Sequence, residues 1–284
     1  SNIVKSQIVA SEMLITLSDK GGFGEVTRDL NCDEVDILLH SPGGSAEATE
    51  SIVAMLRARF KHIRFIVPSV AKSAATMLAM SGDAILMDYT SELGPIDPQM
   101  LVTRDNQMVY APAQTIKDQF TSAQKEIMAD QNKLPVWVPI LRQYGPSLLA
   151  ECDNHLKLAE TLVATWLAQY MFASSPEAKE KAERVAKYLN YHNHFLSHGR
   201  RVGIAELQAQ GLNILDMRTT PEVHRAIEEL FASIQITFDI TGAYKIFENH
   251  QRDALVRMIV VQPQEQKIAP QPKGPSPQKK HKRR

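Results

Sequence analysis

Through the first hundred residues, short apolar runs alternate with stretches of helical period. Glu12–Ser18 and Glu34–His40 are short, apolar and rich in strand-forming residues, as buried strands are. Ala46–Phe60 then sets Ile52, Val53, Met55, Leu56 and Phe60 at helical spacing, and His62–Pro68 returns to strand character. Ser73–Ser81 predicts a helix of small residues and Asp83–Asp88 a further strand. Strand–helix–strand order at this pitch implies parallel pairing and an α/β core.

From about Pro112 the helical period takes over. Pro112–Asp130 predicts a long helix, with breaks near Pro135 and Pro139. Ser147–Phe172 is amphipathic, with Cys152, Leu156, Leu162, Val163, Trp166, Leu167 and Tyr170 near one face, so Trp166 and Tyr170 read as core packing. Ser175-Pro176-Glu177 reads as an N-cap followed by proline at the first helical position, opening a helix through Lys187. Ile204–Gln210 and Pro221–Ser233 predict shorter helices around a strand at Asn213–Met217. The segment after Gln262 is rich in Pro, Gln and Lys without apolar period, which predicts disorder. Gly21-Gly22-Phe23-Gly24 predicts a loop, because it lacks the spacing and the lysine of a phosphate-binding motif.

Composition changes this picture little. The chain has 284 residues, 44% hydrophobic and 23% charged, an ordinary globular balance. Its formal charge of zero hides an asymmetry: seven Lys or Arg against Glu265 after residue 261 give that tail +6, leaving −6 on the rest. Its terminal Lys-Lys-His-Lys-Arg-Arg suits an acidic partner, although such runs are commonly just solvated. Cys32 and Cys152 form no disulfide framework and read as reduced thiols, which suggests a cytoplasmic protein. No apolar run reaches the length of a transmembrane segment. The start lacks the order of a signal peptide, and its early strand-like sequence leaves room for an upstream segment.

Two strand-to-helix turns carry the candidate chemistry. Ser41-Pro42-Gly43-Gly44 has consecutive glycines whose backbone N–H groups can approach a ligand at a helix N-terminus, the requirement of an oxyanion hole. Alone it is equally a plain turn. Val70-Ala71-Lys72-Ser73-Ala74 sets Ser73 at a helix start among small neighbours, where ligands of α/β folds bind. Alone that serine is equally a helix cap. The G-x-S-x-G elbow of α/β-hydrolases is absent. His192, His194 and His198 form H-x-H-x3-H, and on a helix the last two would share a face. They lack a convincing third ligand, so no metal site is assigned.

Together the turns carry a resemblance. His40–Ile52 (HSPGGSAEATESI) looks like the oxyanion segment of the proteolytic subunit of the Clp protease. Val70–Met87 (VAKSAATMLAMSGDAILM) is similar to the nucleophile helix of that subunit and of the signal peptide peptidase A group. Ser91–Gln99 (SELGPIDPQ) points to the serine dehydrogenase proteinase family, and His198–Asp216 resembles the closing helix, turn and strand of the superfamily. The resemblance covers Glu34–Met100 best and Ser197–Met217 less fully. It implies a crotonase-like, Clp protease-type α/β fold of stacked β-β-α units with a helical insertion or extension. The division it implies is a core over 1–111, a helical region over 112–196, closing core elements and a C-terminal helix over 197–261, and a basic tail over 262–284.

The implied activity is that of a serine peptidase acting on a peptide or protein substrate, as a homo-oligomer and without a cofactor. Ser73 becomes the nucleophile, and the N–H groups of Gly43 or Gly44 with that of Ala74 hold the oxyanion. The Clp histidine, about 25 residues after the serine, has no counterpart: the position falls at Asp97 and Pro98. Peptidases of the signal peptide peptidase type use a lysine further on, where this chain has Gln114 and, one helical turn later, Lys117. His198 lies beside the Clp acid position and competes with Lys117 as general base. Lys72 adjoins Ser73 but should point elsewhere. Two other readings stay open: a non-catalytic scaffold or adaptor using the helical region and tail, and an acyl-CoA-binding enzyme of crotonase type.

Overall fold

A computed structural model describes residues 11–104 and 107–259. Its centre is a four-stranded parallel sheet of Glu34–Leu38 (β1), His62–Ile66 (β2), Ala84–Met87 (β4) and Ile214–Asp216 (β8), in the order β1-β2-β4-β8. Beyond β2 the chain forms a second short strand, Val70–Ala71 (β3), and beyond β4 another, Glu92–Leu93 (β5). These two pair in parallel outside the main sheet. Single bridges extend this smaller layer on both sides: Ile15 to Gly44, Ser41 to Ala71, and Leu93 to Val202. The chain thus repeats one unit: a strand in the large sheet, a short strand in the small layer, then a helix.

The helices follow from the sequence. Ala46–Arg59 begins at Ser45, whose hydroxyl accepts the Ala48 N–H at 3.0 Å, and buries Ile52, Val53 and Leu56. Ala74–Ala79 is wholly buried, which its small residues permit. Leu148–Gln169 and Ala178–Asn190 pack against each other, and Leu162, Val163, Trp166, Leu167, Val185 and Leu189 join the core beneath the sheet. Tyr170 packs against that core with the Arg57 guanidinium over its ring at 3.6 Å. Cys32 is exposed and Cys152 buried, both free thiols. No helix among the described residues is long and apolar enough to cross a membrane.

Several elements differ from the sequence pattern. Of Glu12–Ser18 only Ile15 pairs. The Asp19 carboxylate accepts the Thr16 N–H at 2.9 Å, turning the chain into a helix over Asp19–Thr27. The glycines at 21, 22 and 24 therefore lie in a helix, not a loop, despite the roughly 1 kcal/mol each costs there. Tertiary packing decides it: Phe23 meets Phe247 edge to face, and Gly22 lies so close to the Phe247 ring that a Cβ would fall 2.4 Å from it. An antiparallel hairpin of Gln99–Arg104 (β6) and Gln107–Pro112 (β7) precedes the helix Ala113–Ala129, and Pro139 sits inside a helix over Leu134–Leu141. The helix expected to open at Pro176 begins at Ala178. Another, from Pro221, runs on to Ile240, its last turns disguised in sequence by Ile234, Ile236 and Thr237. A second hairpin follows, Ala243–Glu248 (β9) with Ala254–Met258 (β10). The basic tail lies outside the described residues.

The last hairpin clasps the start of the chain. Lys245 Nζ donates to both Asp19 oxygens at 2.9 Å and to the Leu14 carbonyl at 2.8 Å, with both side chains largely buried. Arg257 approaches Asp19 at 3.6 Å. Removing the cation from a buried pair leaves an uncompensated charge. Lys245→Met is therefore expected to lower unfolding stability by about 2–4 kcal/mol in urea titrations, and adding Asp19→Asn should recover part of that loss.

Candidate active site

Ser41 bridges to Ala71 as two parallel strands of the small layer. The Ser41 N–H donates to the Val70 carbonyl at 3.0 Å, and the Lys72 N–H donates back to the Ser41 carbonyl at 3.1 Å. Whatever follows each strand must emerge side by side. After Ser41 comes the diglycine turn; after Ala71 comes Ser73.

The approach is close. A Cβ on Gly43 would stand 2.7 Å from the Lys72 carbonyl oxygen, 2.8 Å from Ser73 Cβ and 3.3 Å from the Ala74 nitrogen. Gly43 has φ 108° and Gly44 φ 155°, conformations that side chains disfavour. On its other side Gly44 is pressed against the backbone of Ile15, where a Cβ would fall 2.3 Å from the Ile15 nitrogen and oxygen. Ile15 N–H donates to the Gly43 carbonyl at 2.7 Å, and Ser45 N–H to the Ile15 carbonyl at 2.9 Å, so the turn is held from outside. The Gly43 N–H donates to Ser41 Oγ at 3.2 Å. Among the described residues, the N–H groups of Gly44 and Ala74 have no hydrogen-bond acceptor.

Ser73 is half-buried at φ 52° and ψ −120°, a conformation that costs a non-glycine residue on the order of 1–3 kcal/mol. It occupies the N-cap position without capping the helix: its hydroxyl bonds to no N–H of the first turn. Behind Ser73, the residues of Ala74–Ala79 are all buried. Thr76 secures the turn from below, donating to the Ala71 carbonyl at 2.7 Å and accepting the Gly94 N–H at 3.0 Å.

Lys72 points away from Ser73, as adjacent side chains do. Its ammonium is bound by Glu92, by the Leu93 carbonyl at 2.9 Å and by the Arg200 carbonyl at 3.4 Å. It thereby ties the nucleophile turn to β5 and to the loop that carries His198. Next to that tie lies Asp97, fully buried, with three donors on its carboxylate. His192 Nδ1 donates to Oδ2 at 2.7 Å, His198 Nδ1 to Oδ1 at 2.8 Å, and Gln99 Nε2 to Oδ2 at 3.1 Å. An Nδ1 that donates leaves His198 Nε2 as the ring's free acceptor. The two imidazoles use opposite oxygens of the one carboxylate. The helix His192–Phe195 ends at Leu196 with φ 63°, so His194 and His198 do not share a helical face, and His194 packs instead on Tyr188 and Phe195.

Lys117 lies in the helix Ala113–Ala129, its ammonium ion-paired to Asp153 of the following long helix. Gln114 donates to Asp118 at 2.7 Å. Among the described residues, neither Lys117 nor His198 is hydrogen-bonded to Ser73. The structure thus brings Gly43, Ser73 and Ala74 together, joins His198 to Asp97, and commits Lys117 to another partner. Asp97, which the motifs did not single out, is the residue that joins the two histidines. Its signal was present, a carboxylate at the position where the Clp subunit has histidine, facing a histidine beside the position where that subunit has its acid.

Residues 16–137 match the family model described as ClpP-like SDH-type serine proteinase, the family the motifs resemble. That stretch holds both turns and Asp97, and the chain folds as a mixed α/β arrangement around a parallel sheet. Two uncharacterized proteins of Methanocaldococcus jannaschii are 41% and 36% identical over 66 residues, 23% of this chain. The match spans 23% of each relative as well, so the chain corresponds to under a quarter of their length. Two solved variants of the 1510-N membrane-bound stomatin-specific protease, one with a substrate peptide, align at 16% identity. They give TM-scores of 0.44 and 0.42, covering 74% and 71% of this chain and 78% and 70% of theirs.

The strained serine generates a stability prediction. Glycine occupies the Ser73 conformation without penalty, whereas alanine keeps the strain. Ser73→Gly is expected to unfold at a higher urea concentration than Ser73→Ala, by about 1 kcal/mol in free energy. Equal midpoints for the two variants would count against a strained turn.

Proposed function

We propose that this chain is a serine peptidase that hydrolyses a peptide or protein substrate through an acyl-enzyme on Ser73. The observation that carries the reading is the contact of Gly43 with Ser73 and the Ala74 nitrogen. Gly43 and Ser73, 30 residues apart in sequence, have no packing reason to meet without side chains between them. The family match over residues 16–137 supports the same chemistry.

In this reading Ser73 Oγ attacks the scissile carbonyl and forms a C–O bond as the carbonyl π pair moves to oxygen. The resulting oxyanion accepts the N–H groups of Ala74 and Gly44, that of Gly43 being donated to Ser41 Oγ, at a helix start where partial positive charge accumulates. His198 Nε2 takes the hydroxyl proton and returns it to the leaving amine. Asp97 holds His198 in the tautomer that exposes Nε2 and stabilises the imidazolium. Water then attacks the acyl-enzyme, losing its proton to the same nitrogen. His198 is preferred to Lys117 because an ammonium engaged by Asp153 is not available to Ser73. The chain order, Ser73 then Asp97 then His198, exchanges the acid and base positions of the Clp subunit.

The reading extends to a cytoplasmic homo-oligomer. Leu101, Met108 and Tyr110 support assembly, standing 52%, 61% and 67% exposed on the hairpin β6–β7, more apolar surface than a solvated hairpin carries. The crotonase-type alternative lacks a use for a strained serine at this turn.

A fluorophosphonate probe tests the proposal. It should label the wild-type chain and fail on Ser73→Ala, and hydrolysis of casein or a peptide library should disappear with the label. His198→Ala and Asp97→Asn should each lower kcat by roughly 10²–10⁴-fold. Labelling or turnover indifferent to Ser73→Ala would overturn the assignment, and wild-type kcat in His198→Ala would return the base to Lys117.

A further inference from the structure

A second cluster of chemistry-bearing side chains lies outside the Ser73 site. Asp88 follows β4 at the C-terminal edge of the large sheet, while His224 and Glu228 sit one turn apart on the helix Pro221–Ile240. We propose that these three side chains bind one divalent transition-metal ion, for which Zn2+ is the probe. One ligand atom from each falls within 4.8 Å of the other two. His224 Nε2 lies 2.9 Å from Asp88 Oδ2 and 3.6 Å from Glu228 Oε1. These separations bracket the roughly 3.4 Å between ligands about 2.1 Å from a tetrahedral zinc.

Three features favour a cation over a simple hydrogen bond. The first is stoichiometric: two carboxylates converge on one imidazole nitrogen, which carries at most one proton. Asp88 uses that proton, and Glu228 is left beyond hydrogen-bond range. Among the described residues neither carboxylate has another ion-pair partner, since the nearby Arg218 is bound by Asp216. A divalent ion would satisfy both oxygens and the nitrogen together.

The second feature is preparation. Asp88 is buried, and its Oδ1 accepts from Thr90 N and Oγ1 at 2.6 Å and from Ser91 N at 3.0 Å, while the Ser91 hydroxyl donates to the Val67 carbonyl at 2.6 Å. That collar fixes one oxygen and aims the other at His224, as outer hydrogen bonds orient metal ligands. The third is space. A cavity of about 220 Å³, lined by Ser69, Asp88, Thr90, His224, Glu228 and Gln235 among others, adjoins the cluster and has room for water in the remaining coordination positions. Such an ion would pin the long helix to the sheet edge, on the side of the small layer that follows β2.

The test uses the full-length, tag-free chain stripped with chelator and then dialysed against Zn2+. Elemental mass spectrometry should find one equivalent retained, with a rise in the thermal midpoint that chelator reverses. Glu228 is exposed, so Glu228→Gln should fold normally and weaken Zn2+ binding about tenfold or more. His224→Ala should abolish the retained equivalent; should that variant not fold, Glu228→Gln decides alone. No retained zinc in the wild-type chain, or an unchanged affinity in Glu228→Gln, would overturn the proposal.

Discussion

Two backbone hydrogen bonds, from Ser41 to Val70 and from Lys72 back to Ser41, fix everything at the candidate site. They make neighbours of two short strands that leave the large sheet at β1 and β2. Because each is followed at once by a turn into a helix, the diglycine amides and the serine arrive at one point from separate repeats. The small second layer is therefore the part of the fold that brings the two turns of separate repeats together.

Polar tethers then locate what the backbone ladder does not reach. Lys72 gathers β5 and the Arg200 carbonyl, and the Leu93–Val202 bridge brings the closing loop to the same edge. Asp97, buried with three donors, seats His198. A buried carboxylate without such donors would be costly, so the cluster is all or nothing. The strain at Ser73 is sustained by this surrounding network, including the Thr76 hydroxyl that fastens the turn from behind.

Much of the architecture was legible because it rests on local signals. β1, β2, β4 and the helix Ala46–Arg59 follow from apolar period, and the long helix Leu148–Gln169 from its stripe. What escaped was decided by distant partners. Three glycines argue against a helix at Asp19–Thr27 until Phe247 and Lys245, more than two hundred residues away, pack on it. The hairpins β6–β7 and β9–β10 carry no tight-turn dipeptide to announce them. At the site, Ser73 and the glycines were readable because their residue types are rarely combined at strand ends. The link between Asp97 and His198 was not, since a hydrogen bond across a hundred residues leaves no period in sequence. Spacing alone could not foresee that Lys117 pairs with Asp153 in this structure.

Ile15 crosses the back of Gly44 so closely that the diglycine turn is gripped from both sides, by Ser73 in front and by the N-terminal arm behind. That arm is itself latched to the C-terminal hairpin through Asp19 and Lys245. The two extremities of the fold are thus linked in series to the backbone donors, though neither touches the serine. Undocking either end would slacken the diglycine turn before disturbing Ser73, so under the proposed mechanism a chain nicked or crowded at its extremities would lose stabilisation of the developing charge ahead of its attacking group.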